Sequence, residues 1–395
     1  MAKQLRVALV GYNFMGRAHS NAWRQVKFYY PELKLEPVTV ALCGRNKAKV
    51  DGLRERFGWA ESVYSYDELL KRDDIDLVDI TSPNNDHADM IVKAAAAGKH
   101  VLCEKPLATS LADAKRALAA VKKAGVIHML MHNYRRCPAI ALAKQMIAGG
   151  ELGEIYHWRG FYLQDWLMSP DVPMMWRVQK KIAGSGSLGD LMAHSIDLAN
   201  WLIGDIDTVA CTMKTFIKKR PMLADVDAGL GGKAASGAKM GTVDVDDGVI
   251  TLARFKNGAL GTFEATRFAA GRKNYNSFEI NGSKGSLVFN LERMNELEYY
   301  NTEDPAQALG FRTIQATADV HPFMGLPNDG GPRFWPVAHI IGYEHTFINS
   351  IFDLVQAVAA KKSVNPNFED GVKTQAVLEA CETASKADAW VKVPK

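Results

Sequence analysis

Three side chains in this sequence have the types and settings to move a proton at a carbon-bound oxygen: Lys105, Asp190 and His194. Lys105 stands in Cys103-Glu104-Lys105-Pro106, at the end of the apolar run His100-Val101-Leu102-Cys103. Lysine is foreign to a buried strand, and the proline after it stops the strand. Such an ending delivers an ammonium to the rim of a sheet, where ligands of open α/β sheets bind. Asp190 and His194 lie four apart in Gly184-Ser185-Gly186-Ser187-Leu188-Gly189-Asp190-Leu191-Met192-Ala193-His194. Glycine-rich sequence opens a predicted helix there, so both side chains share one face, and Asp190 in the first turn suits the helix dipole. Oxidising an alcohol by hydride transfer needs a base for the hydroxyl proton and a group that steadies the alkoxide. Taken singly, Asp190 reads as a helix N-terminal residue, His194 as a core or surface histidine, and Asp197 as a structural or solvated carboxylate. A metal site on these three lacks a second cluster to complete it.

The elements that must position them follow from periodicity. Strands are expected at 5–10, 38–43, 77–80, 100–103 and 126–131, with helices at 16–26, 48–57, 87–97 and 110–124. Strands alternating with helices imply a parallel sheet covered on both faces. After about Cys137 a helix at 138–147 leads into an alternating run at 155–162 and then into short β segments. Asn257-Gly258 reads as a two-residue hairpin turn, with a second at Asn281-Gly282. The fold class is therefore α/β, with residues 1–136 as a dinucleotide-binding domain and 137–395 as an α+β domain for substrate and oligomerisation. Helices are expected at 344–359 and 368–389. Residues 218–241, rich in Gly, Ala and Lys, read as a mobile surface excursion, with Lys218-Lys219-Arg220 a solvated loop. Asp244-x-Asp246-Asp247 lacks the glycine and distal glutamate of a calcium loop and reads as turn chemistry.

The turn after the first strand is Gly11-Tyr12-Asn13-Phe14-Met15-Gly16, with Asn13 at the second glycine of the usual G-x-G-x-x-G. The first glycine permits a tight turn and the last lets the helix approach the strand. Asn tolerates a left-handed backbone better than most residues. The second strand runs into Gly44-Arg45-Asn46-Lys47, without the carboxylate that usually holds the ribose. Arg45 can meet a 2′-phosphate or stack on adenine, so NAD(P) is expected, with NADP slightly favoured. The alternative is a solvated Arg45 with NAD bound.

Net charge is only +4, with both signs interspersed, which gives nucleic-acid or membrane binding little support. Five scattered cysteines without C-x-x-C spacing argue against a disulfide framework or a zinc site and suit a reducing cytoplasm. The N-terminus runs straight into a strand, with neither a signal peptide nor a membrane-spanning run.

Gly11-x4-Gly16, Ser82-Pro83-Asn84-x2-His87, Glu104-Lys105-Pro106 and Asp190-x3-His194, in that order, resemble the glucose–fructose oxidoreductase/inositol dehydrogenase/rhizopine-catabolism (Gfo/Idh/MocA) family. The resemblance covers nearly the whole chain. It implies a Rossmann domain followed by a domain with an open, mainly antiparallel sheet, whose face is often buried in homodimers or homotetramers. It implies that Lys105 hydrogen-bonds the reacting oxygen of a sugar or cyclitol, that His194 takes its proton, and that Asp190 orients the substrate or the proton relay. Gly11, Asn13, Phe14, Met15, Gly16, Gly44 and Arg45 are expected to bind cofactor from the turn and the end of the second strand, and the resemblance adds Ser82, Asn84, His87, Glu104, Lys105 and Asn133. Asn133-Tyr134-Arg135-Arg136, Tyr162-Leu163-Gln164-Asp165-Trp166 and Trp176-Arg177 further resemble the family's levoglucosan dehydrogenase branch. That adds Asn133, Tyr134, Gln164, Trp176 and Arg177 to Lys105, Asp190 and His194 as expected substrate contacts, with aromatic rings stacking on a pyranose face. The alternative for Trp166, Trp176 and Trp335 is a place among the core or interface aromatics, and Arg135, Arg136 and Arg177 serve equally well as structural ion-pair partners. The implied activity is an NAD(P)-dependent oxidoreductase on a ring hydroxyl or ketone. The family's cofactor-retaining glycosidases and its non-catalytic sugar- and nucleotide-binding regulators are the alternatives.

Overall fold

The computed structural model describes residues 3–224, 232–234, 236–327 and 331–395. These residues divide into two compact units, 1–133 with 342–372, and 134–341 with 373–395.

The first unit carries a six-stranded parallel sheet, and the reason is visible in its strands. β1 (Gln4–Val10), β2 (Glu36–Cys43), β4 (Leu77–Ile80), β5 (His100–Glu104) and β6 (His128–Met131) are apolar runs too short and too continuous to face water on either side. β3 (Glu61–Val63) completes the order β3-β2-β1-β4-β5-β6. The sequence reading missed β3, because three residues carry no periodicity. Helices α1 (Phe14–Tyr29), α2 (Lys47–Phe57), α3 (Tyr66–Leu70), α4 (His87–Ala96) and α5 (Leu111–Ala124) make the crossovers. α2, α3 and α5 start on side-chain caps from Asn46, Ser65 and Ser110. The strand order reverses at β1, so the ends of β1 and β4 form the switch point where this architecture binds ligands.

The second unit opens with α6 (Pro138–Ala148) and β7 (Ile155–Leu163), followed by α7 (Lys180–Ala183) and α8 (Ala193–Leu202). β8 (Ile206–Lys214), β11 (Gly248–Phe255), β12 (Leu260–Thr266), β13 (Tyr275–Gly282), β14 (Gly285–Asn290), β15 (Glu296–Asn301) and β16 (Arg312–Gln315) join β7 in one mainly antiparallel sheet. With β17 (Val391–Lys392) at one edge, its order is β16-β15-β14-β13-β7-β12-β11-β8-β17, and its single parallel pair is β7 with β12. Between β8 and β11, β9 (Lys219–Pro221) pairs with β10 (Met240–Thr242) as a short ribbon. The expected mobility of 218–241 falls partly on residues 225–231 and 235, which lie outside the described residues.

Both hairpin turns differ in detail from expectation. Phe255 N donates to Ala259 O, which closes a three-residue loop over Asn257-Gly258. Asn281 pairs with Ser286 inside the ladder, so the second turn falls on Ser283-Lys284. Arg220 is another correction: it is fully buried and donates to the carbonyls of Leu167, Ser169 and Val172 at 2.6, 2.8 and 3.1 Å. A guanidinium can satisfy three carbonyls of an irregular loop at once, which is why a lysine- and arginine-rich stretch here is only partly solvated.

The tail holds α9 (Tyr343–Ala360), α10 (Phe368–Ala387) and β17 (Val391–Lys392). The expectation of one continuous second domain after 136 differs from this arrangement, because α9 and the first turn of α10 complete the first unit. Tyr30, the C-cap of α1, donates to Asn349 Oδ1 at 2.6 Å and stacks on Phe352 at 3.8 Å between centroids. Phe368 packs into the core of the parallel sheet.

Candidate active site

Each unit holds part of the expected residue set. In the first, Gly11 N donates to Cys43 O at 3.0 Å and adopts φ +117°, open to glycine alone at little cost. A Cβ on Gly11 would run into the Thr81 hydroxyl and carbonyl, and one on Gly16 into the Gly11 carbonyl. The turn is therefore a cradle whose floor is bare backbone. Asn13 is extended (φ −85°), so no left-handed residue is required at the second glycine position. Its side chain makes no capping hydrogen bond to α1. The N–H groups of Phe14, Met15 and Gly16 thus open a sixteen-residue helix without a side-chain cap, an arrangement suited to a phosphate. At the end of β2, Gly44 lets the Tyr12 ring lie on the backbone, since a Cβ there would come 2.5 Å from Tyr12 Cδ1. Arg45 is exposed beside it, and Asn46 caps α2 instead of presenting a carboxylate. A dinucleotide fits these features: a glycine cradle, an open helix N-terminus and the switch point of the sheet.

Ser82 and the buried Asn84 follow β4, next to the Gly11 turn. His87, expected to touch the cofactor, is fully buried under this loop with both ring nitrogens engaged, Nδ1 with Pro106 O at 2.8 Å and Nε2 with Ser82 O at 3.0 Å. Burial lowers its pKa, and the two carbonyls only partly offset that. It ties the Ser82 loop to the Lys105-Pro106 corner and is not itself exposed to a ligand. Lys105 is half-buried directly after β5, and its backbone N donates to Glu104 Oε2 at 3.1 Å. Glu104 is buried, with Oε1 2.9 Å from His19 Nε2. Asn133 donates its amide to Thr346 Oγ1 of α9 at 2.8 Å, so part of its polar capacity is already engaged within this unit.

In the second unit the segment carrying Asp190 and His194 departs from a regular helix. Leu188–Met192 forms a π-helical turn that runs into α8, a feature common at functional sites. Side chains from far along the chain hold it. Asp246 accepts from Gly186 N at 2.7 Å and Leu188 N at 2.8 Å, and Ser187 Oγ donates to Asp247 O at 2.8 Å. Gly186 must be glycine, because a Cβ there would overlap the Asp246 carbonyl. Burial pushes the Asp246 carboxyl above the usual range, against its two N–H donors and the Arg267 charge. Arg267, fully buried, lies 3.5 Å from Asp190 Oδ2.

His194 is buried, with Tyr134 at 4.6 Å and Tyr162 at 5.8 Å between ring centroids. The two phenols share a hydrogen bond of 2.9 Å, and Tyr162 donates on to Asn274 Oδ1 at 2.8 Å. Gln164 Nε2 donates to the same oxygen at 2.8 Å, and Trp166 Nε1 to Gln164 Oε1 at 2.7 Å. Tyr134 and Gln164 thus belong to one hydrogen-bonded chain, and the His194 ring packs against its two phenols. Arg177 stacks over Trp176 at 4.3 Å, both half-buried. Arg135 and Asp197 form a buried ion pair at 2.6 Å, which is the structural alternative for both residues. Arg136 is also buried. Asn274, Arg267 and His19 have no role in the sequence analysis above, and Asp246 enters it only as turn chemistry. The side-chain contacts that bring them together with their partners span 21 to 112 residues, beyond the reach of any local pattern.

Residues 5–132 match the oxidoreductase family with an NAD-binding Rossmann fold, and residues 140–288 match the GFO/IDH/MocA C-terminal domain. Over 394 residues the chain is 41% identical to levoglucosan dehydrogenase of Pseudarthrobacter phenanthrenivorans, covering 100% of this chain and 99% of that one. It superposes on the crystal structure of an oxidoreductase domain protein from Kribbella flavida with a TM-score of 0.92 and 44% identity, covering 100% of both chains. The structure of levoglucosan dehydrogenase in complex with NADH and levoglucosan gives a TM-score of 0.92 at 40% identity, again with 100% of both chains covered.

Proposed function

The chain belongs to the GFO/IDH/MocA oxidoreductase family, and from that premise we propose that it transfers a hydride between a nicotinamide dinucleotide and a ring carbon of a sugar, glycoside or cyclitol. The observation that carries this reading is the Asp190–His194 turn, with its chain of Tyr134, Tyr162, Asn274 and Gln164, in a chain similar end to end to a levoglucosan dehydrogenase. Hydroxyl-rich rings need such alternating donors and acceptors, and aromatic faces such as Trp176 suit their C–H surfaces.

Gly11, Asn13, Phe14, Met15 and Gly16 would hold the pyrophosphate, with Gly44, Arg45, Ser82 and Asn84 around the riboses. Glu104 and Lys105 would flank the nicotinamide end. When bound, the nicotinamide supplies a C4 that accepts or returns a hydride. Lys105 hydrogen-bonds the reacting oxygen and steadies its developing charge. His194 takes the hydroxyl proton in oxidation and returns it in reduction. Asp190, held by Arg267, orients the substrate or His194. Tyr134, Gln164, Trp176, Arg177 and Asn133 bind the remaining hydroxyls. Arg45 makes NADP acceptable and slightly favoured over NAD.

The test is NAD(P)H formation across a panel of sugars, glycosides and cyclitols. Lys105→Met is expected to keep dinucleotide affinity within about threefold and to lower kcat by roughly 10³. Near-normal turnover in that variant refutes the assignment. Aglycone release without net NAD(P)H would move the chain to the glycosidase class.

The same reading includes self-association. On the second unit's sheet, Ile250, Leu252 and Leu260 are each about half exposed on the face opposite buried Val249, Thr251 and Phe263. We assign this face to a second copy of the chain, as homodimer or homotetramer. Leu252→Asp with Leu260→Asp should reduce the mass measured by light scattering; a wild-type monomer ends the idea. Five free thiols suit a reducing compartment such as the cytoplasm.

A further inference from the structure

His19 lies one turn into α1, wholly inside the first unit, and the proposed chemistry does not use it. Its Nδ1 is 2.9 Å from both oxygens of Asp79, at the middle of β4. Its Nε2 is 2.9 Å from Glu104 Oε1, at the end of β5. Trp23 Nε1 donates to Asp79 Oδ2 at 2.8 Å. From α9 the uncharged Phe347 ring faces it, 5.5 Å away, and among the described residues Asp79 and Glu104 are the charged groups bonded to it. A neutral imidazole has one N–H and one lone pair, and either tautomer would aim that lone pair at a carboxylate. Two ionised carboxylates on two ring nitrogens require the imidazolium. Burial opposes that charge, but Asp79 and Glu104 outweigh burial and raise the His19 pKa to about 10.

The bridge does not end at Glu104. The other oxygen of that carboxylate receives the Lys105 backbone N–H. We propose that His19 is a positioning residue for Lys105: as an imidazolium joining Asp79 to Glu104, it fixes the carboxylate that sets where the lysine leaves the strand. The proposal rests on the role assigned above to Lys105. Without His19, two buried carboxylates would face each other uncompensated, and Glu104 would turn away. A small misplacement of a reacting group has a large effect on rate and little on binding.

The test is His19→Gln, which retains one donor but neither the charge nor the bridge. The expected result is a kcat lowered at least about tenfold, with KM and dinucleotide affinity within about threefold. Amide hydrogen exchange in the peptide 100–105 should speed up in parallel. Because the His19 pKa is raised, the bridge persists in the folded protein until pH approaches about 10, and the stability it contributes is full below about 6.5 and lost as pH rises through about 10. The wild-type advantage in kcat should therefore narrow as pH approaches 10, which a purely structural histidine would not produce. If His19→Gln fails to fold, His19→Gln with Asp79→Asn removes the excess charge and serves in its place. A folded variant with unchanged exchange at 100–105, or with an unchanged kcat and pH profile, overturns the proposal. Should the wild-type protein turn over no ring polyol, the assigned reaction fails; hydrogen exchange and nitrogen NMR of the His19 ring then decide the positioning alone.

Discussion

The two polar turns of this molecule are held in opposite ways. The Gly11–Gly16 turn is fixed by its own backbone: a positive φ at Gly11, a strand bond to Cys43 and close approach at Gly16. The Gly186–Met192 turn is fixed from outside, by Asp246 and Asp247 some 60 residues later and by Arg267 beyond them. The first could form in any strand–helix junction with those glycines. The second exists only once the nine-stranded sheet has brought β11 and the end of β12 beside it. A locally encoded turn is therefore sensitive to its own residues, and a remotely anchored one to residues with no chemistry of their own.

The largest expected effect separates the two directly. Gly186→Val pushes a side chain into the Asp246 carbonyl and should reduce turnover by about 10³ or more, while leaving dinucleotide binding in place. Asp246→Ala strands two buried N–H groups and should lower unfolding stability by about 3 kcal/mol in a denaturant titration; a loss under about 1 kcal/mol would show that the turn holds itself. Gly11→Ala forces a strained backbone against Thr81 and should weaken dinucleotide binding by roughly 10–100-fold, with the circular dichroism of the second unit's sheet intact. If either glycine variant damages binding and turnover equally, the contrast fails. The smallest effect is at the exposed end of β2, where Arg45→Ala should cut NADP affinity about tenfold and leave NAD nearly unchanged. A wild-type preference for NAD that survives this substitution removes NADP from the reading.

The same distinction explains what the sequence made legible. Five of the six parallel strands, four of their helices, the alternation at 155–162 and both tail helices follow from periodicity within ten to twenty residues. β3 was too short to carry any period. Asn257-Gly258 and Asn281-Gly282 marked hairpins, but neighbouring register decided loop length and position. Lys105 was conspicuous because a charge ended an apolar run, and the Asp190–His194 spacing because glycines preceded it. His19 read as an ordinary member of α1, since the carboxylates that charge it lie 60 and 85 residues away. His87 shows the converse: equally buried, it meets two carbonyls, and burial prevails over their partial charges. Nothing in either histidine's local sequence separates these outcomes. Arg220 sat in a basic triplet that composition alone assigns to solvent.

The return of α9 to the parallel sheet has a consequence for how this chain is made and recombined. Residues 342–372 complete a unit that begins at the N-terminus, so a ribosome must pass most of the message before the surface of α1 around Tyr30 can be covered. Domains ordinarily fold in the order in which they emerge; here the first to begin is among the last to close. A gene shuffle that trades nucleotide units between relatives would need three junctions, after 133, before 342 and after 372. One crossover near the middle would leave each hybrid with a borrowed helix against a foreign partner.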